Sequence, residues 1–212
     1  MQSIQNFVNR VQHGDCLTIL PKLPAGSIDF VLTDPPYLVR FHDRSGRSLA
    51  GDDTGEWLKP AFAELYRVLK PNSFLVSFYG WPKVDEFFAA WKAAGFRPAG
   101  HLVWPKRYSS GRGLLAYSHE QAYLLAKGNP PRPAIPLPDV QPWHYTGNRL
   151  HPTQKPVPSL KPLIETFTRP GDIVLDPFCG SGSTLLAAKI LGRRYIGVEL
   201  DAEYAKAARG RV

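Results

Sequence analysis

The sequence predicts an α/β fold in which a mostly parallel sheet of seven strands carries helices on both faces. Short apolar runs alternate along the chain with segments whose apolar residues recur at helical spacing. The 212 residues are enough to bury a substantial core, and 43% of them are hydrophobic and 21% charged. No internal repeat and no Gly/Ser-rich linker divides the chain, so we expect a single domain over residues 1–212.

Seven apolar runs have the length of buried strands. In chain order they are Phe7–Val11, Ile28–Thr33, Phe74–Phe78, His101–Trp104, Ala122–Leu125, Ile173–Leu175 and Tyr195–Val198. Three helices are predicted where apolar residues follow Leu58, Val84 and Leu160 at intervals of three, four and seven. A fourth helix contains Leu185, and Gly192 is expected to end it.

Charge and cysteine content narrow the possible classes of function. The net charge of +8 and the pI near 9.6 favour a polyanionic partner such as nucleic acid, although an ordinary basic enzyme fits them equally well. Cys16 and Cys179 offer neither a disulfide framework nor zinc-ligand spacing, so we expect no metal and a reduced compartment, cytoplasmic and nucleoid-associated. No apolar run approaches the roughly 18 residues of a membrane span.

The strongest motif is Asp34-Pro35-Pro36-Tyr37, which directly follows the predicted strand Ile28–Thr33. Two prolines end the hydrogen-bond ladder and hold the chain in a stiff loop at the carboxyl end of a strand, where open α/β sheets bind ligands. The Asp34 carboxylate and the Pro35 carbonyl could accept the two hydrogens of a planar amino group while Tyr37 stacks on its ring. The alternative is a proline-rich turn capped by Asp34.

A glycine-containing loop, Asp176 to Thr184, follows a second apolar strand and opens a helix. Its glycines allow close approach of a ligand, but it lacks the lysine of a Walker A loop and the spacing of a dinucleotide fingerprint. Glu199 ends the next strand, where a carboxylate can bind ribose hydroxyls. The combination favours a nucleoside-type cofactor without a pyrophosphate, whereas Glu199 taken alone could be a surface charge.

A third segment, His151-Pro152-Thr153-Gln154-Lys155-Pro156, precedes the helix around Leu160. Its polar residues could hold a small zwitterion with Lys155 facing a carboxylate, and an ordinary loop is equally consistent. The pair Gly14-Asp15 is a common turn after a strand.

In this order the four segments resemble the S-adenosylmethionine-dependent DNA amino-methyltransferases of the permuted β class, enzymes of the restriction–modification type. In that family the target-base motif precedes the cofactor motifs, as Asp34 to Tyr37 does here. The resemblance implies a Rossmann-like class I methyltransferase fold, double-stranded DNA as substrate and S-adenosylhomocysteine as product. It also implies that Asp15 contacts the cofactor's adenine, Glu199 its ribose, Phe178–Gly182 its methionine end and Thr153–Lys155 its amino-acid group.

The expected catalytic set is therefore Asp34, Pro35, Pro36 and Tyr37. The expected cofactor-binding set is Asp15, Cys16, Thr153, Gln154, Lys155, Asp176, Phe178, Cys179, Gly180, Ser181, Gly182, Ser183, Thr184, Glu199 and Leu200.

Target chemistry is suggested by the residue that heads the motif. An aspartate there, in place of the serine common in cytosine-N4 enzymes, points to adenine N6; methylation of cytosine N4 or of an RNA base would use the same site. A DNA-binding module with a vestigial cofactor pocket is the alternative outside the enzymes. Cytosine-C5 methylation needs a nucleophilic cysteine, and Cys16 and Cys179 are not placed to supply one.

DNA contacts are expected from basic residues, because a base must leave the duplex to reach Asp34 and phosphate contacts would offset that cost. Residues 101–150 hold six cations and two anions, although a solvated basic surface is the alternative. The near-neutral stretch Leu38–Gly55 is expected to be a mobile loop. Residues 128–150 are the candidate target-recognition segment, and their shortness leads us to expect relaxed specificity, help from other loops or a homodimer. The expected DNA-binding residues are Arg40, Arg44, Lys106, Arg107, Arg112 and Arg149.

Overall fold

One sheet of seven strands organises the computed structural model, which describes residues 3–40, 51–109, 114–147 and 150–212. The order across the sheet is β1-β7-β6-β2-β3-β5-β4. The first five strands in that spatial order, β1, β7, β6, β2 and β3, pair with one another in parallel. Strand β5 runs antiparallel to both of its neighbours, β3 and β4. The strands are β1 (Arg10–His13), β2 (Ile28–Thr33), β3 (Leu69–Phe78), β4 (Arg97–Pro105), β5 (His119–Lys127), β6 (Ile173–Asp176) and β7 (Arg194–Glu199).

Helices cover both faces of this sheet, as predicted. One apolar cluster joins α1, α2 and α3 to one face through side chains such as Ile19, Phe62 and Trp91. A second cluster joins α4, α5 and α6 to the other face through Leu163 and Leu185, among others. The helices are α1 (Cys16–Ile19), α2 (Leu58–Val68), α3 (Val84–Ala94), α4 (Val157–Phe167), α5 (Ser183–Ile190) and α6 (Ala202–Arg211).

The prediction of β1 is wrong at its start. Residues Ile4–Asn6 form a 3-10 turn, and Phe7 is buried in the core from the turn that follows rather than from a strand. Asn9 has a φ of 56°, which interrupts extended backbone, and its side-chain oxygen accepts a hydrogen bond from the Tyr195 amide. The strand therefore begins only at Arg10.

The other predicted elements are present with shifted ends. β2 has the predicted bounds, while β3, β4 and β5 extend beyond their apolar runs into residues that are mostly polar, exposed or half-buried. Gly192, with a φ of 72°, follows the end of α5 as predicted. Neither α1 nor α6 was predicted, and each begins at an aspartate, Asp15 or Asp201, whose carboxylate caps the first turn.

Strand direction brings the predicted motifs to one edge of the sheet. β2, β6 and β7 end there at Thr33, Asp176 and Glu199. Because β5 is reversed, its first residues, beginning at His119, reach that same edge. Within the described ranges no helix has the length and apolarity needed to cross a membrane.

Candidate active site

A cavity of about 260 Å³ opens at this edge of the sheet. All four predicted segments contribute to its wall. The predicted site residues that line it are Asp15, Cys16, Asp34, Pro35, Pro36, Tyr37, Thr153, Lys155, Phe178, Gly180, Glu199 and Leu200. The structure thus brings the target-base motif and most of the expected cofactor-binding residues to one continuous space.

The remaining predicted cofactor-binding residues do not line the cavity, and several of them lie in the part of the glycine loop that contacts α6. The Arg211 guanidinium of α6 donates from Nη1 to the Ser181 carbonyl (2.8 Å) and to the hydroxyls of Ser181 and Ser183 (3.2 Å each). These contacts hold the glycine loop against helix α6. The residues absent from the cavity lining are Gln154, Asp176, Cys179, Ser181, Gly182, Ser183 and Thr184.

Glu199 joins β7 to the glycine loop. Its Oε2 accepts a hydrogen bond from the Gly180 amide (2.7 Å), and its Oε1 accepts one from the Asp201 amide (2.9 Å). Burial raises the pKa of the Glu199 carboxyl, while these amides act in the opposite direction. Each carboxylate oxygen has two lone pairs, so both can still accept a ligand hydroxyl from the cavity.

Aromatic side chains form one wall of the cavity. The Phe178 and Trp57 rings meet edge to face with centroids 4.9 Å apart, and Trp57 Nε1 donates to the Gly51 carbonyl (2.8 Å). Beside Gly180 of the glycine loop, His151 packs edge to face on Tyr204 with ring centroids 4.3 Å apart. Trp57 and Tyr204 were not predicted, since apolar periodicity does not separate a ring that lines a cavity from one that packs in a core.

The Asp34 carboxylate is held by two partners. Tyr37 Oη donates to its Oδ1 (2.7 Å), and Lys155 Nζ donates to its Oδ2 (2.6 Å). Lys155 Nζ also lies 3.3 Å from Tyr37 Oη. Lys155 was predicted to face a carboxylate of the cofactor; in the structure the carboxylate that it contacts is that of Asp34.

Burial sets the electrostatics of this pair. It raises the pKa of Asp34, and the Lys155 ammonium opposes that rise. Burial alone would lower the pKa of Lys155, but the carboxylates of Asp34 and Glu120 outweigh it and raise that pKa. Burial and the Asp34 charge raise the pKa of Tyr37 well above its ordinary value, so its hydroxyl stays a proton donor. The site therefore presents an ion pair with a neutral phenol beside it.

Gly80 fixes the position of Tyr37 from behind. A Cβ atom on Gly80 would lie 2.7 Å from the Tyr37 Cβ and 2.9 Å from the Tyr37 carbonyl oxygen. Both distances are shorter than any ordinary contact, so only glycine leaves room for this arrangement. Gly80 was not predicted because it follows β3 outside every motif.

The expected DNA-binding residues differ in how far the structure exposes them to solvent. Arg40 and Arg107 are exposed. The prediction for Lys106 is wrong: its side chain is 2% exposed, and its Nζ donates to Glu120 Oε1 at 2.6 Å, so it does not face phosphates at the surface. Arg44, Arg112 and Arg149 lie outside the described residues, as do positions 41–50 of the predicted mobile loop.

A second cation among residues 101–150, Lys127, also contacts other parts of the protein rather than solvent alone. Lys127 Nζ donates to the backbone carbonyls of Tyr66 (2.5 Å) and Leu69 (2.7 Å) at the end of α2. Together with Lys106, this reduces the charge that residues 101–150 present to solvent.

The candidate target-recognition segment lies along the edge strand β4. Val103 donates from its amide to the Asp139 carbonyl and accepts from the Gln141 amide, both at 2.8 Å. Beyond this point Trp143 Nε1 donates to Tyr108 Oη (3.2 Å), and the exposed Tyr145 ring packs on Tyr108 at 5.2 Å. The segment therefore pairs with the outer side of β4 and presents aromatic side chains beside the β4–β5 hairpin.

The chain is similar in sequence to known DNA methylases. Residues 28–210 match the family model described as DNA methylase. The protein named "Putative methylase YubD" of Escherichia coli (strain K12) is 58% identical over 205 residues, which cover 97% of this chain and 90% of that protein. DNA adenine methyltransferase YhdJ of the same organism is 31% identical over 242 residues, covering 95% and 81%.

Solved structures share the architecture. The M1.HpyAVI–SAM complex superposes with a TM-score of 0.75 at 25% identity and covers 95% of this chain and 98% of that one. The cytosine-N4-specific PvuII DNA methyltransferase superposes with a TM-score of 0.79 at 21% identity, covering 95% and 85%. These likenesses confirm the predicted class I methyltransferase fold.

Proposed function

The chain belongs to the DNA methylase family, and we propose that it transfers the methyl group of S-adenosylmethionine to the N6 amino group of adenine in double-stranded DNA. The observation that carries this proposal is the single cavity shared by Asp34, Tyr37, Phe178 and Glu199. The aspartate that heads the motif and the 31% identity to a protein named DNA adenine methyltransferase favour adenine.

The cavity suits a nucleoside cofactor with a charged amino-acid end. Carboxylates at Asp15 and Glu199 can accept hydrogen bonds from an exocyclic amine and from ribose hydroxyls, and Phe178 and Trp57 offer apolar ring surfaces. M1.HpyAVI, which shares this fold, has been solved with SAM. When bound, S-adenosylmethionine supplies a sulfonium-linked methyl group that is already strongly electrophilic.

The chain's own residues prepare the amino group. Its lone pair is delocalised into the adenine ring, so the nitrogen is a poor nucleophile until acceptors draw its hydrogens out of the ring plane. Asp34 retains free lone pairs after binding Tyr37 and Lys155 and accepts one hydrogen, and the Pro35 carbonyl accepts the other. Fixing two reactants in line in this way is worth roughly 7–11 kcal/mol, and no covalent enzyme intermediate is needed.

Paired variants separate chemistry from cofactor binding. Asp34→Asn is expected to abolish methyl transfer and to leave the calorimetric affinity for S-adenosylmethionine within about threefold, whereas Glu199→Gln should weaken that affinity by about tenfold or more through loss of charge-assisted bonds. Retained turnover in Asp34→Asn would refute its role. Wild-type protein that binds DNA but no S-adenosylmethionine would favour a vestigial pocket.

Nucleoside analysis of the methylated product decides the target base. N6-methyladenine in duplex DNA supports the proposal; N4-methylcytosine, or methylation confined to RNA, overturns it. Sequencing of the modified DNA gives the recognition site at the same time.

Residues 1–212 act as one methyltransferase domain in this proposal, with residues 128–150 reading the target and a homodimer supplying a second recognition surface. Tyr145, within residues 128–150, and Arg107, which follows β4, are both exposed. They offer an aromatic ring and a cation for contact with DNA, which supports the proposed recognition surface. Light scattering tests the assembly: a monomeric mass at micromolar concentration with undiminished activity contradicts the homodimer.

A further inference from the structure

Four charged side chains of alternating sign extend inward from the proposed target-base site. Asp34 Oδ2 and Lys155 Nζ are 2.6 Å apart, Lys155 Nζ and Glu120 Oε2 are 3.8 Å apart, and Glu120 Oε1 and Lys106 Nζ are 2.6 Å apart. Lys155 and Lys106 are 8% and 2% exposed, and both carboxylates are 21% exposed. We call these residues the charge row.

We propose that Glu120 and Lys106 are positioning residues for methyl transfer, which hold the Lys155 ammonium charged and seated on Asp34. This inference rests on the proposed function, because it is through Asp34 that the charge row would act on the target amino group. Neither residue belongs to a motif of the chain: Lys106 follows β4, and Glu120 is the second residue of the reversed strand β5.

Lys155 needs a second anion because it is buried. Its ammonium lies against the rings of Phe78 (4.8 Å) and Tyr37 (5.5 Å), surroundings that solvate a cation far less than water does. Besides Asp34 and Glu120, the titratable groups that face it are the phenols of Tyr37 and Tyr108. If Lys155 lost its proton, Asp34 would lose its cationic partner in a buried site and would bind a proton more readily. A protonated Asp34 has fewer lone pairs to offer an amino hydrogen.

Lys106 has a different task. Glu120 is itself a half-buried acceptor, and without a partner its carboxylate would compete with Asp34 for the same ammonium. The short contact with Lys106 engages Glu120 Oε1 and leaves only the longer approach of Oε2 to Lys155. A backbone hydrogen bond from the Lys106 amide to the Ser118 carbonyl (2.7 Å) closes the base of the β4–β5 hairpin and keeps the two side chains facing each other.

The buried Asp176 at the end of β6 and Asp34 act on each other as like charges. Asp52 faces Tyr37 from the segment before α2. Both acidic groups make a cation at Lys155 more necessary.

Three variants test the charge row against wild type. In Glu120→Gln, removal of the anion lowers the pKa of Lys155, so the alkaline limb of the pH–kcat profile moves to lower pH by about one unit or more. Lys106→Met frees Glu120 to draw Lys155 away from Asp34, and kcat falls by about tenfold or more while the affinity for S-adenosylmethionine is retained. The double variant Glu120→Gln/Lys106→Met removes the competitor and recovers part of the Lys106→Met loss, so the effects are not multiplicative.

Glu64→Gln is the matched control. It removes the carboxylate from an ion pair with Arg67 of 2.7 Å on α2, away from the site, and should leave kcat and its pH profile unchanged. Thermal unfolding of every variant identifies any that fails to fold.

A readout without turnover keeps this inference separate from the proposed function. In ¹⁵N-lysine-labelled protein, the Lys155 side-chain resonance, assigned through Lys155→Arg, is titrated directly by NMR. A titration lowered by about one unit in Glu120→Gln supports the charge row even if no methylation is detected, in which case only the proposed function fails. An unchanged Lys155 titration in Glu120→Gln, or a double variant that loses the full product of both single losses, overturns the inference.

Discussion

Replacement of Gly80 by alanine tests how closely the structure positions Tyr37. The backbone of Gly80, with φ −82° and ψ 120°, is open to any residue, so the substitution adds no backbone strain. The new Cβ would lie 2.7 Å from the Tyr37 Cβ, whereas ordinary contacts begin at 3.4 Å. Tyr37 or the end of β3 must therefore move by about 0.7 Å, and Tyr37 carries the hydroxyl that binds Asp34.

The expected cost follows from that displacement. Overpacking of this kind costs about 1–3 kcal/mol of stability, and misplacing a reacting geometry by nearly an ångström lowers the rate about 100-fold. Single-turnover methyl transfer measures the rate, and calorimetry should find unchanged affinity for S-adenosylmethionine because Glu199 and Phe178 come from other strands. Gly210→Ala is the control, since its Cβ meets no atom within 4 Å and helix α6 gains alanine. A folded Gly80→Ala enzyme with a rate within threefold of wild type would refute the reasoning.

Three further substitutions address stability and DNA contact. Burial raises the pKa of Asp176 to about 7, whereas the unfolded chain releases this proton near pH 4. Between these values the folded protein binds the extra proton, so the free energy of unfolding falls as pH rises. Asp176→Asn should abolish that fall in urea titrations, and a pH dependence equal to that of wild type would contradict the assignment. Lys127→Met should lower the free energy of unfolding by about 2 kcal/mol and leave DNA affinity unchanged. Arg107→Ala should reduce the slope of the logarithm of the DNA-binding constant against the logarithm of salt concentration by about one. Equal slopes for Arg107→Ala and wild type would show that Arg107 contacts no phosphate.

The parts of the site that were predictable are those that follow parallel strands. A buried parallel strand such as β2 is an uninterrupted apolar run, and the residue after it must lie at the carboxyl edge of the sheet. This places Asp34, Phe178 and Glu199 together without any knowledge of contacts. Their assembly around one cavity follows from local pattern and strand direction.

Glu120 could not be found by the same reasoning. Apolar pattern does not reveal that β5 runs opposite to its neighbours, so the start of this strand was not expected at the edge where the others end. Lys106 and Lys127 look like surface cations in sequence, because a buried lysine differs from an exposed one only by partners that are distant along the chain. Helix α6 is mostly polar and buries only Ala205 and Ala208, so it gives no apolar signal.

The pairing of β1 with β7 determines when this protein can become active during its own synthesis. Arg10 pairs with Ile196 and His13 with Glu199, so the first strand made is stabilised by the last. At translation rates of roughly 5–20 residues per second, β1 leaves the ribosome on the order of ten seconds or more before its partner exists. The turn at Asp15 and the carboxylate of Glu199 therefore face each other only late in synthesis. A nascent chain in which β7 has not yet been translated lacks Glu199 and the partner strand of β1, so the cavity that both strands border is incomplete in it.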